Sequence, residues 1–93
     1  MNIGDCVVPI PFKEAWEKGS PSYVRIMKDT YIGMTGCIEN VCDLQGYPYK
    51  GKGPPCFEVH FNSGDYWYYL KKRVRLATPE EVRIYKFIRA IKK

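Results

Sequence analysis

The sequence is poor in the residues from which catalytic sites are built. Its 93 residues include one histidine, His60, and no glycine-rich phosphate-binding loop. A cysteine nucleophile needs a base beside it, and no motif ties His60 to any of the cysteines. No convincing pair of carboxylates for acid–base catalysis is present either. We therefore predict that the protein is not an enzyme.

Long apolar runs are also absent. No stretch is apolar for long enough to span a bilayer as a helix. The first residues, Met-Asn-Ile-Gly-Asp, lack the basic and apolar regions of an export signal. We expect a cytoplasmic protein with no membrane contact.

The four cysteines allow two interpretations. An even number in a small secreted chain indicates disulfides, but without an export signal we interpret Cys6, Cys37, Cys42 and Cys56 as reduced thiols that pack as small apolar side chains. The alternative is zinc, held by Cys37, Cys42, Cys56 and His60. Residues four apart on a strand lie about 13 Å apart, whereas structural zinc takes its paired ligands from tight turns. We therefore predict no metal and no cofactor.

Charge is distributed unevenly along the chain. The formal net charge is +5, yet residues 71–93 carry nine basic and two acidic side chains, and residues 1–70 carry six basic and eight acidic ones. The sequence thus predicts a slightly acidic body with a basic C-terminal end. Such asymmetry indicates a partner of opposite charge.

The pattern between residues 33 and 76 is that of a small antiparallel sheet. β-Branched and aromatic runs alternate with Gly, Asn, Ser and Asp, which favour tight turns. In the run 56–61, Phe57, Val59 and Phe61 share one face, which we predict to be the inner one. The predicted strands are 3–8, 36–42 with a bulge, 56–61, 66–70 and 74–76, with a short helical turn at 70–73. Residues 12–22 are interpreted as a loop pinned to the barrel by Trp16, and the alternative is that Trp16 belongs to a binding surface.

Two segments carry exposed aromatic candidates. The strand 66–70 has aromatic side chains on both faces, and only one face belongs to the core; the pattern does not say which. The connection 43–55 contains three Gly and three Pro, so it is predicted to be irregular and exposed. It carries Tyr47, Tyr49, Lys50 and Lys52, an arrangement that either keeps a hairpin loop soluble or stacks on and neutralises a nucleic-acid strand.

Thr78-Pro79-Glu80-Glu81 is the clearest local signal in the chain. It combines an N-cap threonine, a proline at the first helical position and a glutamate that completes a capping box. A helix is predicted from 79 to about 91. Its predicted apolar stripe consists of Val82, Ile84, Tyr85, Ile88 and Ile91, with basic residues on the other side. The pattern leaves open whether that stripe packs on its own sheet or on a second copy of the chain, which would make a homo-oligomer.

Several short motifs together resemble the small SH3-like barrels. They are Gly4-Asp5-x-Val7, Gly33-x-x-Gly36-x-Ile38, Phe57-x-Val59-x-Phe61 followed by Gly64, Trp67-Tyr68-Tyr69 and Val74-Arg75-Leu76. The order of elements is similar to that of KOW-type and Mind-bomb-type modules and of short barrel proteins encoded by bacteria and phages. The resemblance implies a mainly β fold: one domain over 1–93, with a five-stranded antiparallel barrel over about 1–77 and a C-terminal α-helix over about 79–91.

The resemblance also implies a binding module, because such barrels include nucleic-acid binders, peptide binders and inhibitors of larger machines. Our leading hypothesis is nucleic acid, with basic residues on phosphates and aromatic residues on bases. The predicted binding residues are Lys71, Lys72, Arg73, Arg75, Arg83, Lys86, Arg89, Tyr66, Trp67, Tyr68, Tyr47 and Tyr49. The alternative is an acidic protein surface, bound by a protein-interaction module or a phage-encoded inhibitor of a host or defence enzyme in the host cytoplasm. A variant is an aromatic cage of Tyr66, Trp67, Tyr68 and Phe57 around a cationic side chain.

Overall fold

Five antiparallel strands and one α-helix make up the computed structural model, which describes residues 1–11, 29–43, 47–51 and 55–91. The elements are β1 (Cys6–Pro9), β2 (Gly36–Cys42), β3 (Cys56–Phe61), β4 (Tyr66–Leu70), β5 (Val74–Leu76) and α1 (Pro79–Ile91), with 3-10 turns at Asp29–Tyr31 and Lys71–Arg73. The mainly β class, the C-terminal helix and the turn before β5 are as predicted. The loop interpretation of residues 12–22 concerns residues outside the described ranges.

The strands form one open sheet in the order β4-β3-β2-β1-β5. β4 and β5 therefore lie at its two edges, and closure of the sheet into a barrel is not confirmed. The pairing is uneven along the sheet. Six register pairs join β2 to β3 and five join β3 to β4, whereas only two join β1 to β2. The β1/β2 seam is thus the shortest junction, and β5 is attached to the rest of the sheet through β1.

The predicted bulge in β2 is present. The register between β2 and β3 shifts between Ile38 and Asn40, so Ile38 and Val41, which are out of phase for a regular strand, pair with Val59 and Phe57 on the core face of β3. At the start of β2 the strand β3 approaches so closely that a Cβ on Gly36 would lie 2.5 Å from the Val59 side chain at Cγ1 and 2.9 Å from the His60 carbonyl oxygen. Glycine is therefore required there by packing rather than by backbone conformation.

The core lies on the predicted inner face of β3. Phe57, Val59 and Phe61 are buried, and Tyr69, the register partner of Phe57, is fully buried as well. This answers the question that the pattern of β4 left open, because Tyr69 and Trp67 share the core face. Cys56 is also buried, although its parity places it with Glu58 on the other face. The opposite face is therefore covered at that end of the sheet, where Tyr68 packs against the core cluster.

Helix α1 begins with the predicted capping box. The Thr78 hydroxyl accepts a hydrogen bond from Glu81 N at 3.2 Å, and Glu81 Oε1 accepts one from Thr78 N at 2.8 Å. Tyr85 is the helix residue that enters the core, and its carbonyl oxygen accepts a hydrogen bond from Asn62 Nδ2 at 3.0 Å. Because Asn62 starts the turn between β3 and β4, the helix lies at that end of the sheet.

The sheet thus has two ends with different chemistry. We call the end that carries the β3–β4 turn and α1 the helix end. The row formed by Cys42, Cys56 and Leu70 across β2, β3 and β4 marks the opposite end, which we call the loop end because the 43–55 connection leaves from it.

Candidate functional site

The structure divides the twelve predicted binding residues among different parts of the molecule. Tyr47, Tyr49, Lys71 and Lys72 belong to the loop end, whereas Tyr66, Arg83, Lys86 and Arg89 belong to the helix end. The other four lie on β4, in the turn after it or on β5: Trp67, Tyr68, Arg73 and Arg75. The predicted residues therefore do not form one continuous surface.

The loop end holds its tyrosines in place through the backbone. Asp43 N donates to the Tyr47 carbonyl oxygen at 2.8 Å, Tyr47 N donates to Asp43 Oδ1 at 3.0 Å, and Pro48 bridges to Cys42 in antiparallel fashion. These contacts hold residues 47–49 against the end of β2. Tyr47 is 65% exposed and Tyr49 is 36% exposed.

Lysines lie at the same end. Lys50 follows the tyrosines, and Lys71 and Lys72 directly follow Leu70, which ends β4 in the row that marks the loop end. All three lysines are exposed. We call this set the loop-end surface: Tyr47, Tyr49, Lys50, Lys71 and Lys72.

Arg73 has to be removed from the predicted surface. Its side chain is fully buried, and Arg73 Nε donates a hydrogen bond to the Ile10 carbonyl oxygen at 3.1 Å, while Ile10 N donates to the Arg73 carbonyl oxygen at 2.8 Å. A buried guanidinium is held by internal acceptors and does not reach a partner. Arg73 ties the segment after β1 to the segment before β5, so its role is structural.

Two further arginines make internal ion pairs. Arg75 donates to both carboxylate oxygens of Glu81, at 2.7 and 2.9 Å, and these bonds, with the Thr78 amide, lower the pKa of Glu81 to about 2. Arg89 donates to the Tyr85 hydroxyl at 2.8 Å and lies 4.0 Å from Glu39, and the hydrogen bond to Tyr85 is the main reason that its pKa is raised. Their charges are partly neutralised before any partner arrives.

The aromatic residues of β4 lie beside carboxylates rather than lysines. Tyr66 stacks on His60, with ring centroids 5.1 Å apart, and Tyr68 is the register partner of Glu58. A shallow cavity of about 360 Å³ beside them is lined by Tyr31, Gly64, Asp65, Tyr66, Trp67 and Tyr68. Carboxylates and ring faces suit a cationic group and repel phosphate. Phe57 is buried in the core, so it does not form a wall of the cage suggested by the sequence.

His60 lies between the carboxylates of Glu58 and Glu39, an arrangement that was not predicted from the sequence. His60 Nε2 lies 2.8 Å from Glu58 Oε1, and His60 Nδ1 lies 3.5 Å from Glu39 Oε2. Glu58 shares a strand face with His60 by simple alternation, so that contact was accessible to sequence reasoning. Glu39 reaches the same place across the β2/β3 pairing, so that contact depends on the register of β2 with β3.

Helix α1 exposes a stripe of large apolar side chains. Its members recur at positions i, i+3, i+4 and i+7 and are exposed to 52%, 66%, 38% and 67%: Ile84, Phe87, Ile88 and Ile91. The predicted stripe combined some of these residues with Tyr85 and Val82, which face inward, and it omitted Phe87. The spacing of the four residues was the available signal. Arg83 and Lys86, on the same helix, are exposed.

Within the described ranges, no three His, Cys, Asp or Glu side chains are grouped so that they could hold a metal ion. The nominal zinc ligands are divided, since Cys37 and His60 are neighbours in one row and Cys42 and Cys56 in another. None of the helices among these residues is long and apolar enough to cross a membrane. No family model, curated protein or solved structure matches the chain.

Proposed function

We propose that the protein is a non-enzymatic binding module that binds single-stranded nucleic acid at its loop end. The observation that carries the proposal is the loop-end surface, where exposed tyrosines and exposed lysines occupy one end of the sheet. Arg73 is buried and Arg75 and Arg89 lie beside glutamates, so this surface offers a better combination of aromatic rings and positive charge than those arginines do.

The chemistry of the surface favours single strands over duplex. Tyr47 presents a largely exposed ring, and a ring stacks on a base only where that base is unpaired. The lysines supply positive charge for the phosphates, and release of counterions from the strand makes such binding depend strongly on salt.

We further propose that the chain is a small SH3-like barrel, because of its sequence motifs and the order of its elements. The compartment that we propose is the cytoplasm.

The test compares two double charge reversals of equal size. Lys71→Glu/Lys72→Glu changes the loop end, and Arg83→Glu/Lys86→Glu makes the same change of charge on α1. Fluorescence anisotropy with labelled single-stranded DNA, single-stranded RNA and duplex DNA is recorded from 25 to 200 mM salt. For single strands each phosphate contact contributes about 0.7 to the slope of log affinity against log salt. The loop-end variant is therefore expected to lower that slope by about 1.4.

The aromatic contribution is measured separately with Tyr47→Ala. Loss of a stacked base costs about 1–3 kcal/mol, which corresponds to a fall in affinity of roughly 5-fold to 150-fold. Absence of binding to any strand at 25 mM salt would exclude the proposal. If only Arg83→Glu/Lys86→Glu lost affinity, the nucleic-acid surface would lie on α1 and not at the loop end.

The second candidate function is that of a protein-interaction module, including a phage-encoded inhibitor of a host or defence enzyme. The observation that favours it is the exposed stripe of α1, because large apolar side chains at helical spacing are typical of a helix that packs on a partner. Exposed Arg83 and Lys86 on the same helix favour a partner with an acidic rim.

This candidate is tested with Phe87→Ser/Ile91→Ser, which changes only exposed side chains of α1. Affinity capture from a nuclease-treated extract is run with the wild type, with this variant and with the loop-end variant as the control. A specific protein that is captured by the wild type and the loop-end variant but not by Phe87→Ser/Ile91→Ser supports the candidate. Equal capture by all three proteins excludes the stripe as the interface, and a doubled mass in sedimentation identifies a second copy as the partner.

A further inference from the structure

Every cysteine stands directly opposite another cysteine in the register of the sheet. Cys6 of β1 is the partner of Cys37 of β2, and Cys42 of β2 is the partner of Cys56 of β3. Side chains of directly opposed residues project on the same side of a sheet, with Cβ atoms about 4.5–5.5 Å apart. All four cysteines are free thiols in the structure. The sequence interpretation of the cysteines as reduced packing thiols did not include their arrangement in two pairs.

The two pairs differ in exposure and in backbone position. Cys6 and Cys37 are half-buried, whereas Cys42 and Cys56 are completely enclosed. The Cys6 carbonyl oxygen accepts a hydrogen bond from Ala77 N at 2.9 Å, so the Cys6 backbone bonds toward β5 and not toward β2. Cys6 and Cys37 are consequently a non-hydrogen-bonded pair, in which the Cα atoms lie about 4.5 Å apart. That separation lies within the range of about 4.4–6.8 Å found in disulfides.

The Cys37 thiol lies close to the segment that precedes β1. Its Sγ lies 3.6 Å from the carbonyl oxygen of Gly4, two residues before Cys6. Burial, with Cys6 and Glu39 nearby, raises the pKa of Cys37 above its usual value, so exchange at this thiol is slow at neutral pH and faster at alkaline pH. Burial raises the pKa of Cys42 to about 12 and that of Cys56 to about 11, and these two thiols are also shielded from solvent.

We propose that Cys6 and Cys37 are a site of reversible oxidation, at which low-molecular-weight disulfides of the glutathione class form an intramolecular disulfide. One of the two thiolates attacks a sulfur of glutathione disulfide, forms a mixed disulfide and releases one glutathione. The second thiolate attacks the protein sulfur of that mixed disulfide and releases the second glutathione. The protein loses two protons and two electrons, which leave with the two glutathione thiols.

The bond has a structural consequence because of where it lies. It crosslinks β1 to β2, the junction with only two register pairs, and β1 is the strand that pairs with β5. It also closes a loop of about 30 residues, and a closed loop restricts the unfolded chain. Oxidation is therefore expected to raise the midpoint of thermal unfolding by about 10 °C or more.

The experiment uses the full chain, reduced and then treated with millimolar glutathione disulfide at pH 8.5. Free thiols are alkylated after unfolding, and peptides are mapped without reduction. The expected result is an intact mass lower by two hydrogens, a peptide link between Cys6 and Cys37, alkylated Cys42 and Cys56, and a higher unfolding midpoint. A reductant should reverse all of these changes.

Cys6→Ser and Cys37→Ser are the matched variants, and circular dichroism shows whether each is folded. In each folded variant the link and the rise in midpoint should both disappear. The proposal is overturned by a folded wild type that stays unreacted or stops at a glutathione adduct, by a link between Cys42 and Cys56, or by a linked protein whose midpoint does not rise.

Discussion

Replacing Glu81 with glutamine is expected to weaken the junction between α1 and β5. The Glu81 carboxylate accepts hydrogen bonds from Arg75 Nη1 at 2.7 Å, Arg75 Nη2 at 2.9 Å and Thr78 N at 2.8 Å. Because the ion pair is partly exposed, its loss costs about 0.5–1 kcal/mol, and loss of a negative charge from the first turn of the helix costs about 0.3 kcal/mol more, whereas the glutamine amide oxygen still accepts the Thr78 N–H and keeps the capping box. A total loss of about 1 kcal/mol lowers the unfolding midpoint of a domain this size by roughly 4–8 °C.

The same carboxylate predicts how that loss depends on pH. Arg75 and then the Thr78 amide lower the pKa of Glu81 from 4.5 to about 2. The unfolded chain therefore takes up the proton before the folded chain does as the pH falls. The stabilisation is complete above about pH 4.5 and is lost as the pH falls toward 2. The difference in midpoint between wild type and Glu81→Gln should be largest at pH 6 and should shrink steadily between pH 4.5 and pH 2.5.

Thermal unfolding followed by circular dichroism from pH 6 to pH 2.5 measures this difference. Glu80→Gln is the matched control, since Glu80 lies in the same first turn, is exposed and undergoes the same change of charge. It leaves the ion pair between Arg75 and Glu81 intact, so its midpoint should fall by no more than about 2 °C. The reasoning is refuted if both variants lose the same stability, or if the difference for Glu81→Gln stays constant down to pH 2.5.

Two other substitutions test the packing described above. Gly36→Ala should lower the free energy of unfolding by about 3 kcal/mol, because its Cβ would overlap Val59, whereas Gly51→Ala, with a positive φ but open space, should cost about 1 kcal/mol. Equal losses in urea unfolding would show that packing at Gly36 is not the cause. Arg73→Met should cost about 1–3 kcal/mol by leaving the Ile10 carbonyl oxygen without its donor, while the folded variant binds nucleic acid as the wild type does. A selective loss of affinity without a loss of stability would restore Arg73 to the binding surface.

Elements defined by neighbours in the chain were predictable from the sequence. The start of α1 follows from Thr78 and Glu81, three residues apart, which satisfy each other's backbone donors wherever the helix lies. The inner face of β3 follows from the alternation of Phe57, Val59 and Phe61, because side chains on a strand project to opposite sides in turn. The aromatic and lysine content of the loop-end surface was likewise evident before its position was known.

Contacts between distant parts of the chain were decided only by the tertiary structure. Arg73 is of a residue type that commonly binds phosphate, yet it is buried in the structure, where it is hydrogen-bonded to Ile10. The face of β4 that enters the core depends on its register with β3, and the division of the basic residues between two ends depends on where α1 docks. The pairing of Cys6 with Cys37 is set by the register of β1 on β2, which no local pattern contains. Local hydrogen bonds and alternation can be recognised in a sequence, whereas register and docking arise from burial of the whole chain.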